Sequence, residues 1–117
     1  MNILIGYPKC TTCKKSEKYL CDNNIKYEYR NIKENKLNIE ELKDIIDKSK
    51  KDIQAFFNTS GLVYRSLNLK DKLQHMDREE KIKLLASDGM LVKRPILIYK
   101  DKILVGFKEK EYDKLIK

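Results

Sequence analysis

The sequence has no tryptophan, one histidine, two prolines and four glycines, and alanine is almost absent. No apolar run approaches the ~20 residues that a bilayer-spanning helix needs, so no membrane role is expected. The opening MNILIGYPK holds an apolar stretch too short for a signal-peptide core and carries no basic segment before it. Three cysteines, an odd number in a chain without an export signal, argue against a disulfide framework. A reducing, cytoplasmic setting is the expectation. Zinc would need four ligands, and beyond Cys10 and Cys13 only Cys21 and His75 remain, so no metal is expected either. Arginine is scarce as well. The net charge of +8 comes almost wholly from lysine, with Arg30, Arg65, Arg78 and Arg94 the only arginines. Lysine alternates with Asp and Glu throughout, the pattern of a solvated surface, so direct nucleic-acid binding is not expected.

What remains is a chain of 117 residues, 41% of them hydrophobic and spread along the length. That is enough for one domain with one core. Asn2 to Tyr7 reads as a short buried strand ended by Gly6 and Pro8. Thr11 to Asn23 reads as a helix, with Cys13, Ser16 and Leu20 on one face. Tyr27 to Ile32 alternates aromatic and charged residues as a strand does. Asn38 can cap a helix over 38–48, with Glu41 in the capping-box position. Short helical pieces are expected at 52–57 and 67–76, around a loop at Asn58-Thr59-Ser60-Gly61. Asp77 caps a further helix to Ala86, with Gly89 expected as its stop. Ile96 to Tyr99 and Lys102 to Gly106 form a hairpin across Lys100-Asp101, and Glu109 to Ile116 is a closing helix. A βαβ unit at one end and a ββα unit at the other predict an α/β fold of thioredoxin/glutaredoxin type. Its mixed sheet would carry a helical insertion at roughly 37–92 within a single domain, 1–117.

In that fold Cys10 falls between the end of a strand and the first turn of a helix, where unpaired N–H groups and the helix dipole favour negative charge on sulfur. Cys10 is the expected nucleophile and Cys13, one turn further and facing the core, the resolving thiol. Lys9, Thr11, Thr12 and Lys14 surround the pair as supporting residues. Cys21 lies eight residues, about 12 Å along the helix, from Cys13, beyond the reach of a disulfide. It is expected to be a packing residue. Arg94-Pro95, before the third strand, is expected to be a cis peptide facing the nucleophile, with Arg94 contacting an anion or the thiolate.

The segments YPKCTTCKK, FFNTSG, SDGMLVKRPILIY and VGFKEKEYDKLI together resemble, in order and across essentially the whole chain, the arsenate reductase-like (ArsC/Spx) family, nearest to its small YusI/YffB-type branch. The resemblance implies a thioredoxin-like domain and makes Cys10 the reactive cysteine. Arsenate reductases of the family hold their oxyanion with three arginines. Here Arg94 matches one, Asn58 stands where a second is expected and Gly106 near the third, which removes bidentate donors that lysine does not replace. Members of the Spx branch, which share the Cys-X-X-Cys motif, are redox-sensing regulators that bind RNA polymerase. The resulting expectation is a monomeric thiol-disulfide redox protein acting on a thiol or disulfide substrate. No cofactor would be bound; glutathione is a candidate co-substrate, and thioredoxin or glutaredoxin a candidate partner. The alternatives are a Spx-like regulator and an arsenate reductase.

Overall fold

A computed structural model describes residues 2–117. The chain divides into two compact units, one running up to Asn31 and resuming over Arg94–Lys117, the other Ile32–Lys93.

In the first unit, β1 (Ile3–Gly6) leads to helix α1 (Thr11–Asp22), then β2 (Glu28–Asn31), β3 (Ile96–Tyr99), β4 (Lys102–Val105) and helix α6 (Glu109–Ile116). The sheet order is β2-β1-β3-β4. β1 runs parallel to β2, with Leu4 opposite Tyr29 and Gly6 opposite Asn31. It runs antiparallel to β3, with Leu4 opposite Leu97. The β3–β4 hairpin turns at Lys100, whose φ of 55° lies in the left-handed region that tight hairpin turns demand. Because β1 is an inner strand, Leu4, Ile5 and Gly6 are all buried and the two-residue alternation disappears. This mixed sheet with its helices is the thioredoxin-like fold that the element order predicts.

Leu4 and Leu97, register partners, pack with Tyr19, Leu20 and Tyr112 into one cluster, flanked by Tyr27, Tyr29, Phe107 and Ile116. Polar atoms on these aromatic rings join α1 to α6. The Tyr112 hydroxyl and Ser16 Oγ, both buried, hydrogen-bond at 2.7 Å, and the Tyr19 hydroxyl donates to Asp113. Tyr19, Phe107 and Tyr112 meet edge to face, with centroids 4.8–6.0 Å apart. α1 is thereby anchored along its inner face, which determines where its first turn lies.

The second unit is helical: α2 (Ile39–Ser49), α3 (Leu62–Ser66), α4 (Leu69–Lys72) and α5 (Arg78–Ser87), with 3₁₀ turns at Ile53–Phe56, Leu73–His75 and Gly89–Leu91. The expected caps form, Asn38 in a capping box with Glu41 and Asp77 in a second box with Glu80. The structure adds one element and overturns one expectation. Leu62–Ser66, for which the sequence pattern predicts no element, is helical although its N-cap Gly61 offers no side chain. α5 ends at an extended Asp88, and Gly89 does not act as a left-handed stop. Gly89 is required because its backbone lies against Ile32: a β-carbon there would sit 2.3 Å from the Ile32 carbonyl oxygen. The unit closes through a bridge between Phe57 and Val92, with the Asn58 N–H donating to Leu91 O and the Lys93 N–H to Phe56 O, each at 2.8 Å.

Candidate active site

The chain leaves β1 at Gly6 and turns through Tyr7-Pro8-Lys9, with the Cys10 N–H donating to the Tyr7 carbonyl at 2.9 Å. Cys10 is the N-cap of α1, in extended conformation at φ −89° and ψ 116°. Its Sγ accepts the backbone N–H of Cys13 at 3.3 Å. An oxygen of Ser, Asn or Asp commonly fills this place. Here a sulfur faces the open N–H groups of the first turn, at the positive end of the helix. Cys10 is partly exposed whereas Cys13 is fully buried. Burial pushes the Cys13 thiol up to about 12, aided by its hydrogen bond to the Cys10 side chain and opposed by the Tyr7 backbone and the Arg94 charge. The two thiols are therefore unequal: one partly exposed at the start of the helix, the other buried beside it with its proton held.

The Arg94-Pro95 peptide is cis, as expected. Pro95 is buried, and its carbonyl accepts the Gly106 N–H at 2.7 Å. Gly106 has φ 77°, a left-handed conformation that disfavours any side chain, so the absence of arginine there accompanies a backbone that calls for glycine. The Arg94 guanidinium lies 5.7 Å from the centroid of the Tyr7 ring, a cation–π arrangement. Its positive charge acts on Cys13.

Lys9, Thr11, Thr12 and Lys14 are exposed around Cys10, giving the pair a basic and hydroxyl-bearing border. Asn58 belongs to the helical unit, where its Nδ2 donates to Met90 O at 3.4 Å and its carbonyl accepts the Gly61 N–H at 3.1 Å. It stitches the NTSG loop. Cys21 is exposed rather than packed, because residue 21 falls on the outer face of α1. His75 is exposed at the end of a 3₁₀ turn. Among the described residues no group of His, Cys, Asp and Glu is arranged to hold a metal ion, and no helix is long and apolar enough to cross a membrane.

One neighbour of the cysteines escaped the sequence reading. A β-carbon on Gly6 would lie 3.0 Å from the Tyr29 hydroxyl and 3.1 Å from Cys13 Sγ, so the strand's glycine makes room for both. The signal was present in the alternation of Tyr27 and Tyr29 beside a strand ending in Gly6, but it becomes meaningful only once β1 and β2 are paired in register.

Comparisons with known proteins bear on the family and the fold. The uncharacterised protein YusI of Bacillus subtilis is 49% identical over 107 residues, covering 92% of this chain and 91% of that protein. The global transcriptional regulator Spx of Enterococcus faecalis is 32% identical over 111 residues, covering 95% and 83%. Among solved structures, an ArsC-family-related protein of Bacteroides fragilis superposes with a TM-score of 0.94 at 46% identity, over 97% of this chain and 96% of that one. A possible arsenate reductase of Streptococcus mutans gives 0.87 at 39%, over 97% and 98%. The ArsC family model matches residues 5–115, from inside β1 to the last turn of α6. With a cysteine capping the first helix and a cis-proline opening the third strand of that continuous match, the chain belongs to the ArsC family.

Proposed function

We propose that the protein is a thiol-disulfide oxidoreductase in which Cys10 is the nucleophile and Cys13 the resolving thiol. The observation that carries this reading is the inequality of the two cysteines: Cys10 Sγ caps α1 at the surface, while Cys13 is buried one turn inward with its proton held. The Cys10 thiolate attacks one sulfur of a disulfide R–S–S–R′, forming Cys10–S–S–R and releasing R′S⁻, which takes a proton from water. The Cys13 sulfur then attacks Cys10 Sγ, the Cys10–Cys13 disulfide forms, and the second thiol leaves with the Cys13 proton. An external thiol, glutathione or a thioredoxin- or glutaredoxin-type dithiol, must supply two electrons to return the pair to the reduced state. Arg94, beside Tyr7 and acting on Cys13, and the exposed Lys9 and Lys14 suit an anionic thiol such as glutathione.

Trapping tests this directly. Cys13→Ser should accumulate a mixed disulfide on Cys10 that dithiothreitol releases, while Cys10→Ser should form none and lose disulfide turnover to background. Equal trapping by both variants would overturn the assignment of roles.

The similarity to Spx over 95% of this chain favours a second reading, a redox-sensing regulator that binds RNA polymerase. Retention of RNA polymerase by either the reduced or the oxidised protein would support it, and no retention in both states would remove it. Arsenate reduction is a weaker reading, since Asn58 and Gly106 stand where two oxyanion-binding arginines are expected. Arsenate-dependent oxidation no faster than that of Cys10→Ser in a glutathione-coupled assay would eliminate it.

A further inference from the structure

Tyr29 lies on β2 with its ring against the core cluster and its hydroxyl oxygen fully buried. Among the described residues that hydroxyl has no hydrogen-bond partner. A phenylalanine would fill the same space without a buried hydroxyl, so packing does not explain the oxygen, and an unpaired buried hydroxyl is a destabilising feature. The other phenol near Cys13, Tyr112, is already bonded to Ser16. The Tyr29 oxygen and Cys13 Sγ occupy one niche beside Gly6, 3.0 and 3.1 Å from the position a β-carbon would take. We infer that Tyr29 is a positioning residue for Cys13, donating its phenolic hydrogen bond to the Cys13 sulfur as negative charge develops there during resolution.

This inference rests on the thiol-exchange reading and assigns the donor for its second step. Burial is the largest cause that pushes the phenol up to about 12; the charges that Cys13, Glu17 and Cys10 carry when ionised add to it and Arg94 opposes them, so it remains a donor throughout the neutral range. The Cys13 thiol is held equally high by its burial. A donor in the same niche, turning to the sulfur as charge develops, lowers the barrier to charging it, and charge-assisted hydrogen bonds are the stronger kind. Atoms balance as before: the Cys13 proton leaves with the departing thiol, and Tyr29 keeps its own.

The test uses Tyr29→Phe in a Cys21→Ser background that leaves Cys10 and Cys13 intact. Reduced protein is mixed with oxidised glutathione, quenched with acid and analysed by mass, resolving adduct formation on Cys10 from release of the second glutathione. Tyr29→Phe should leave adduct formation unchanged, slow release about tenfold at pH 7 and move the pH profile of release up by about one unit. Release with the parent's rate and pH profile would overturn the role of Tyr29 while leaving the thiol-exchange reading intact. Slowing of both steps alike, with a lowered melting temperature, would show a purely structural tyrosine and overturn it too. A parent that forms the adduct but never releases glutathione would overturn both.

Discussion

At Gly89 a single methyl group decides whether the helical unit can close. A β-carbon there would meet the Ile32 carbonyl oxygen at 2.3 Å, and a backbone atom cannot swing aside as a flexible side chain does. Gly89→Ala should therefore destabilise the protein by about 3 kcal/mol, read as a lower denaturant midpoint with an unchanged slope. Wild-type stability for that variant would contradict the close approach. The cysteines differ in the same local way. Cys10 is partly exposed at the helix start, Cys13 has no exposed surface, and Cys21 is exposed on the outer face of α1 away from the positive end of the helix. Iodoacetamide at neutral pH should modify Cys10 first, Cys21 more slowly and Cys13 only after unfolding, as mass mapping would show. Cys21 reacting as fast as Cys10 would remove the argument for an activated sulfur.

Helices here begin where a side chain closes the first turn. Asn38 and Asp77 each accept an N–H three residues on while Glu41 and Glu80 return the bond, so two orphan donors are satisfied at each start. Asn38→Ala and Asp77→Ala should each cost about 1 kcal/mol. The exposed ion pairs between α2 and α5, Lys43–Glu79 and Arg78–Asp47, should cost much less when removed and should weaken further in salt. The buried bond from Ser16 to Tyr112 is a different case. Ser16→Ala would strand the Tyr112 hydroxyl at a cost of roughly 1–3 kcal/mol and loosen α1, the helix that carries both cysteines. Loss of stability with unchanged Cys10 alkylation would show that the α1–α6 tie supports the fold and not the site. These capped elements were legible in the sequence because capping and hydrophobic spacing are local. Leu62–Ser66 was not legible, since Gly61 provides no cap and five residues are too few to show a period.

For the whole molecule, buried protons set the alkaline limit. Cys13 and Tyr112 have no exposed surface, and burial pushes each up to about 12, from ordinary values near 8.5 for a thiol and 10 for a phenol. Between those values and pH 12 the unfolded chain has released protons that the folded chain still holds. This contribution to stability is complete below about pH 8.5 and falls as pH rises toward 12. Denaturant midpoints of the reduced protein should decline across that window, and Tyr112→Phe should decline less steeply despite starting lower. An equal slope in the variant would mean that Tyr112 does not carry the effect.

Features written in neighbouring residues are local and legible from the chain alone: a strand ending at Gly6, a helix opened by Cys10, a hairpin at Lys100-Asp101, two helix caps and an X-Pro bond before a strand. The chain alone also carries the family, because four short segments resemble it in order from Tyr7 to Ile116. Folding in three dimensions is what makes Gly89 answer to Ile32 rather than end a helix, leaves Cys21 exposed, and brings Tyr29 into a niche with Cys13. Each of these depends on residues far apart in the chain meeting at van der Waals distance, and no local spacing encodes which atom will be the neighbour. The cysteine motif named the two sulfurs, while burial beneath α1 and beside β1 made them chemically unequal.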